Sequence, residues 1–312
     1  GYFNQDGLMK YTGFQRLNGR FNSEWKMFNK HLVIGENISF SHDWGVGVTN
    51  NTALGGMLYN AYQFQSIIPV YDLNGVFAGN PFGDISNPLG SLYRNKKNND
   101  HNTRFMGNAY AQVALFDGLT FKSNFGADYK NYNQRNYSAK YNEINTSQTL
   151  STLTNTNSQR FNWVFTNTLN YIKSFGLHDI NALIGMEALR NSYEYFDATR
   201  KGFAYDDDNF HYLNAGDTST QTNEGSMEQY SMTSYFGKID YSYNNRYLAA
   251  LTLRRDGSSR LGNNKWGNFP AASLGWRISN ESFFHSKLIS NLKLRFGWGQ
   301  NGNSDIPAYS TI

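Results

Sequence analysis

Five times along this chain, two stretches of alternating apolar and polar residues are paired through a turn, and long polar segments separate the pairs. Successive residues of an extended strand point to opposite sides, so each stretch presents one apolar and one polar face. In the clearest pair, Phe161, Trp163, Phe165, Leu169 and Tyr171 alternate with Asn162, Thr166, Thr168 and Asn170. The chain turns within residues 173–178 and resumes with Ile180, Ala182, Ile184, Met186 and Ala188 against Asn181, Glu187 and Asn191. Short connections on one side and long ones on the other are the pattern of an all-β, antiparallel transmembrane β-barrel.

Composition enters where the barrel must be separated from a soluble β-sandwich. Aromatic residues make up 16% of the 312, yet mean hydropathy is −0.62, so bulky rings coexist with a polar average. A barrel accounts for both, with half of each strand facing lipid and aromatic girdles at the two interfaces. A secreted sandwich fits the same figures. No run of about 18 apolar residues occurs, so a membrane-crossing segment in this chain would be a strand. The chain opens at Gly1 without a basic segment and apolar core, which implies that a leader was removed or that the chain begins inside a longer protein. With no cysteine there is no disulfide framework or thiolate metal site to consider. The net charge of +4 is dispersed, and its densest cluster, Arg94 with Lys96 and Lys97, reads as a solvated loop without nucleic-acid binding.

The other pairs follow the same rule. Leu17, Gly19, Phe21, Ser23, Trp25 and Met27 alternate with Arg16, Asn18, Arg20, Asn22, Glu24 and Lys26, turn near Asn29, and return through Leu32, Ile34, Ile38 and Phe40. A second hairpin turns at Asp117-Gly118, a dipeptide suited to positive φ. A fourth turns near Asn244-Asn245, and a fifth joins Ala272–Ile278 to Leu292–Trp298 through a longer connection. Ten strands result, many of the roughly 9 to 11 residues a tilted strand needs to cross a bilayer. Segments near 43–102, 132–159, 197–230 and 256–268 are expected as long loops gathered at one end, with Pro270 at a strand start.

Motifs with chemical potential are sparse. Arg255-Asp256-Gly257-Ser258-Ser259-Arg260 reads as a strand-end turn, with Gly257 supplying an unusual φ. Asp206-Asp207-Asp208 offers carboxylates to Ca²⁺ but lacks the six to eight oxygens such an ion takes, so no metal site is assigned. His31, His42, His101, His178, His211 and His285 are scattered, without zinc spacing. There is no Gly-x-Ser-x-Gly elbow and no other catalytic constellation, so neither an enzyme nor a cofactor is expected. Aromatic residues of the long segments, Trp44, Tyr59, Tyr62, Tyr93, Tyr205 and Tyr212, are candidates to stack on a sugar or peptide.

One string is more specific. Residues 241–260, from Tyr-Ser-Tyr-Asn-Asn-Arg-Tyr to Asp-Gly-Ser-Ser-Arg, are followed by Asn268-Phe269-Pro270, Trp276-Arg277-Ile278 and Glu281-Ser282-Phe283. With Asn291–Asn303, Ser234–Lys238 and Asn87-Pro88-Leu89, they closely resemble the barrel of SusC-like (SusC/RagA-type) TonB-dependent outer-membrane transporters. The resemblance implies a multi-pass outer-membrane protein whose barrel is of the 22-stranded, plugged kind. Residues 1–312 are then a partial barrel domain, without the plug and, at Thr311-Ile312, without an aromatic-terminated closing strand. It implies import of an oligosaccharide or peptide with a SusD-like surface lipoprotein, energised through the plug by a TonB–ExbB–ExbD complex. Lumen-facing candidates are Arg16, Arg20, Glu24, Lys122, Asp128, Lys238, Asp240, Lys293 and Arg295. A passive porin or a receptor barrel displaying binding loops is the alternative.

Overall fold

The computed structural model describes residues 1–48 and 56–310. Eleven strands form one antiparallel sheet in which neighbours in sequence are neighbours in space. They are β1 (Tyr2–Asp6), β2 (Gly13–Met27), β3 (Leu32–Val46), β4 (Asn99–Phe116), β5 (Leu119–Ser138), β8 (Thr152–Phe175), β9 (His178–Lys201), β10 (Thr222–Tyr243), β11 (Tyr247–Ser258), β12 (Trp266–Arg277) and β13 (Lys293–Gly299). Two short strands, β6 (Tyr141–Glu143) and β7 (Thr146–Gln148), pair apart from the sheet between β5 and β8. Helices α1 (Met57–Gln63) and α2 (Pro88–Asn95) lie between β3 and β4. All ten expected strands are present, and β1 is an eleventh.

The short turns gather at one end and use left-handed backbone. Phe28, Asn29 and Lys30 have φ of 51, 53 and 70°, and Asn244 and Asn245 have φ of 49 and 53°. Gly118 (φ 83°) is required twice over, because a Cβ there would lie 2.2 Å from the Ile172 carbonyl oxygen. The turn expected within residues 173–178 is narrower than that, since Lys173–Phe175 and His178 still pair across the ladder.

Much of what reads as long loop is strand. β5 runs on to Ser138, β8 begins at Thr152, β9 ends at Lys201, and β10 begins at Thr222. β8 and β9 have 24 residues each, about 80 Å at 3.4 Å per residue, far beyond what a bilayer crossing needs. The polar upper halves pair because their side chains bond across the ladder. Thr154 and Thr199 hydroxyls meet at 2.7 Å, and Gln134 donates to Asp100 at 2.7 Å. Asn, Thr and Tyr there break no strand; they only remove the apolar face that makes one visible in sequence. Pro270, expected at a strand start, lies inside β12 opposite Leu253, where pairing with β13 stops. Residues 49–55 of the first long segment, and the Thr311-Ile312 end, lie outside the described residues.

Register separates the faces. On one lie Phe21, Ile38, Phe125, Phe161, Phe165, Ile184, Leu251 and Leu274, several of them more than half exposed. On the other lie Glu24, Tyr110, Lys122, Asn124, Asp128, Glu187, Lys238 and Arg254, while Glu36, Arg190 and Arg255 share the apolar side. β1 pairs only with β2, and β13 only with β12, so among the described residues the sheet has two open edges.

Candidate functional site

All nine charged candidates fall on the polar face. Register carries it from Lys122 through Thr168 and Gly185 to Phe236, two residues from Lys238 on the same strand face. Gly275 sits opposite Arg295, and Arg277 opposite Lys293. Several charges are already paired there. Arg104 grips Asp128 with two bonds of 2.8 and 2.7 Å, and Lys238 meets Asp240 at 2.9 Å. Glu24 takes Lys26 at 2.9 Å and the Tyr110 hydroxyl at 2.7 Å. The Tyr110 ring lies over Gly35, where a Cβ would come within 2.6 Å, and Lys122 Nζ sits 4.3 Å from its centroid. Arg20 reaches Asn22 at 3.4 Å.

The densest polar cluster on this face is one the candidate residues omit. Arg254 donates to Asp256 at 2.7 Å, to the buried Ser234 hydroxyl at 2.8 Å and to Glu187 at 3.2 Å, while Thr166 donates to the second Glu187 oxygen at 3.2 Å. Its guanidinium lies 5.4 Å from the Phe236 ring, which in turn covers Gly185. Glu187 stands at a polar position in the alternation, so parity alone marks it. Asp256 therefore serves an arginine and leaves no turn to cap. The positive φ expected at Gly257 falls at Gly262 (54°). Gly257 lacks a side chain because the Trp266 ring would lie 2.9 Å from its Cβ, and Ser258 does cap, accepting from the Arg260 amide at 3.3 Å.

The six aromatic candidates do not converge. Trp44, opposite Gln15 and His101, lies on the face that carries the apolar band, its ring 5.2 Å from His42. Tyr59 and the exposed Tyr62 are on α1. Tyr93, on α2, touches the rings of Tyr11 and Phe77. Tyr205 packs on Phe210, and Tyr212 is exposed at the start of a 3-10 turn.

Above the strands the long connections fold together as a crown. Glu143 is 3% exposed and accepts from the Asn87 amide at 2.7 Å and from Arg94 at 2.8 Å. Asn87 caps α2 through Gly90 and donates to the carbonyls of Val70 and Ala78. A small apolar core joins Tyr137, Ala139, Leu153 and Phe203, with Leu213 and Ala215 against it. Two of the three aspartates are taken up internally: Asp207 caps the Asn209 amide, and Asp208 pairs with Lys97. Lys97 holds the Asp208 carboxyl below its ordinary range. The basic cluster is thus engaged where a solvated loop was expected, with Arg94 on Glu143, Lys97 on Asp208 and Lys96 over the Tyr93 ring. Among the described residues no three acidic or histidine side chains gather as a metal site would need.

An antiparallel sheet with one exposed apolar face, tight turns at one end and folded connections at the other is the wall of an outer-membrane β-barrel. Over its whole length this wall is similar to SusC-like TonB-dependent receptors. No family model matches the chain. It is 29% identical to TonB-dependent receptor P39 of Formosa agariphila, a match covering 100% of this chain and 30% of that one. It is 27% identical to TonB-dependent receptor SusC of Bacteroides thetaiotaomicron, over 98% of this chain and 32% of that one. Among solved structures, the RagAB peptide importer in its open-open state superposes with a TM-score of 0.84 at 25% identity, covering 99% of this chain and 35% of that chain. BauA, the ferric preacinetobactin receptor of Acinetobacter baumannii, shares the fold, with a TM-score of 0.53 at 14% identity over 88% of this chain and 39% of that chain. The chain spans about a third of the length of the curated relatives it matches. The likeness places it in the outer membrane, and the relatives bear the names of receptors and importers.

Proposed function

We propose that this chain is part of the barrel of a TonB-dependent importer that brings a large nutrient, an oligosaccharide or peptide, across the outer membrane. The observation that carries the reading is the whole-chain similarity to SusC-like receptors. The open edges at β1 and β13 continue into further strands of a larger barrel, and a plug fills its lumen. Arg16, Arg20, Glu24, Lys122, Asp128, Lys238, Asp240, Lys293 and Arg295, with Arg254 and Glu187, face that lumen and either line the conduit or hold the plug. Lipid on the opposite face supports this assignment, since a cation at mid-bilayer costs about 2 to 4 kcal/mol. Tyr59, Tyr62, Tyr205 and Tyr212 in the outer connections contact cargo. A SusD-like surface lipoprotein covers the crown, and a TonB–ExbB–ExbD complex drives plug displacement. The chemistry is binding and gating, without bond-making.

Uptake of candidate cargo by cells carrying the full-length protein is expected to stop when TonB is removed. Uptake that persists without TonB or proton-motive force would instead make it a passive porin. The face assignment is tested separately, because the chain contains no cysteine. Asp128→Cys is expected to react with a membrane-impermeant thiol reagent after plug removal, and Phe125→Cys is expected to resist it.

A further inference from the structure

A cavity of about 390 Å³ in the crown is lined by Tyr93, Arg94, Lys96, Lys97, Arg135 and His211, with Tyr137, Asp206 and Asp208 completing its wall. Its size is within the range of small-ligand sites. Its position is informative. Arg135 and Tyr137 share the strand face of Phe125 and Tyr129, which is the lipid-side face of the wall. Arg135 is six residues above Tyr129 on β5, about 15 Å higher at 3.4 Å per residue and a tilt near 40°. The cavity therefore opens off the outward side of the barrel, above the outer-leaflet girdle and away from the lumen.

Its charges are unevenly spent. Arg94 is neutralised by Glu143 at 2.8 Å and Lys97 by Asp208. Lys96 rests on the Tyr93 ring, 3.5 Å from its centroid, and Arg135 donates to the His211 carbonyl, so among the described residues neither forms an ion pair with a carboxylate. His211 is 8% exposed and stacked on Tyr137. Its Nε2 lies 3.7 Å from Asp206 Oδ1, beyond hydrogen-bond reach, and has no hydrogen-bond partner among the described residues.

We propose that this cavity binds the phosphate of an outer-leaflet glycolipid headgroup. Lys96 and Arg135 supply the charge, Arg135 with the fork geometry that suits phosphate. Asp206, half exposed, meets only the His211 imidazole, at 3.7 Å, among the described residues, and its carboxylate opposes a bare phosphate. The site is distinct from cargo binding because it lies on the outside of the wall. It fixes the crown relative to the membrane.

The two charges give the test opposite signs. The full-length protein in detergent is titrated with rough lipopolysaccharide, with the same lipid after phosphatase treatment, and with its lipid-free phosphorylated core sugar, and occupancy is read by native mass spectrometry. Wild type is expected to take up the phosphorylated glycolipid and to lose it on dephosphorylation. Lys96→Gln is expected to weaken binding about tenfold, the value of one charge-assisted hydrogen bond, and Asp206→Asn to tighten it. Neither variant breaks a cation–carboxylate pair, and an unchanged protease pattern shows the crown intact. Unchanged affinity in both variants, or in Lys96→Gln and Arg135→Gln together, would overturn the proposal. So would equal binding of the dephosphorylated lipid. Binding of the lipid-free core sugar as tight as that of the glycolipid would overturn the membrane source.

Discussion

The wall and the crown solve the same problem in opposite solvents. In the wall, Phe21, Ile184, Leu274 and Phe296 stand 58 to 66% exposed, and no residue between them is driven inward, because the lipid outside is as apolar as they are. In the crown, Leu153 is fully buried, Phe203 and Tyr137 nearly so, and the polar Asn87 and Glu143 are buried with partners for their hydrogen bonds. Exposure of a large apolar side chain therefore signals an unfinished surface in one half of the molecule and a finished one in the other. The crown is a small water-soluble fold carried on a membrane sheet.

Separating the two halves is the strongest test. Glu143→Ala leaves the Asn87 amide without its acceptor and Arg94 without its counter-charge, and is expected to cost the crown about 3 to 5 kcal/mol. Hydrogen exchange should rise over residues 78–95 and 141–148 while β8 and β9 within the membrane stay protected. If the wall loosened equally, the two halves would be one cooperative unit. The wall has its own opposite-face comparison. Phe165→Arg, on the lipid-side face, is expected to cost about 2 to 4 kcal/mol in the urea midpoint for folding into lipid, whereas Thr166→Arg, one residue on and facing Glu187, should cost far less. Equal losses would mean that the two faces do not differ in solvent, and a larger loss at Thr166 would mean that they are reversed.

The smallest effect is pH-dependent and confined to the crown. Burial holds the His211 imidazole below its ordinary value, outweighing the pull of Asp208 and Asp206. The unfolded crown therefore binds the proton more readily than the folded one. Stability is complete above about pH 6.5 and declines as pH falls through the lower folded value. Protection factors over residues 203–215, corrected for the intrinsic exchange rate, should fall between pH 7 and pH 5, and His211→Asn should flatten that dependence. The wall should not respond over the same interval.

The same contrast explains what the sequence made legible. Period-two alternation is imposed on the wall by two different solvents, so Phe161 to Tyr171 and Leu17 to Met27 reveal their strands, faces and partners without further help. Above the membrane no lipid face imposes a period on β8 and β9, the alternation vanishes, and residues 152–160 read as loop although they pair throughout. The crown is harder still. Arg94 and Glu143 are 49 residues apart, and Lys97 and Asp208 are 111 apart, so no local pattern announces either pair. The aromatic candidates were chosen by residue type within loops, and type alone does not distinguish Trp44 on the outward face from Tyr62 on α1. The polar-face network around Arg254 was within reach, since Glu187, Ser234 and Arg254 all occupy alternation positions; what sequence lacks is the lateral register that joins three strands.

The length of the β8–β9 hairpin has a mechanical meaning. About half of its roughly 80 Å stands clear of the bilayer as a continuously hydrogen-bonded ribbon, which makes it a lever. A rocking of a few degrees where it leaves the membrane displaces its tip by several ångströms, and with it Leu153, Phe203 and the segment holding His211. Whatever grips the tip is thus tied geometrically to a smaller displacement at the base.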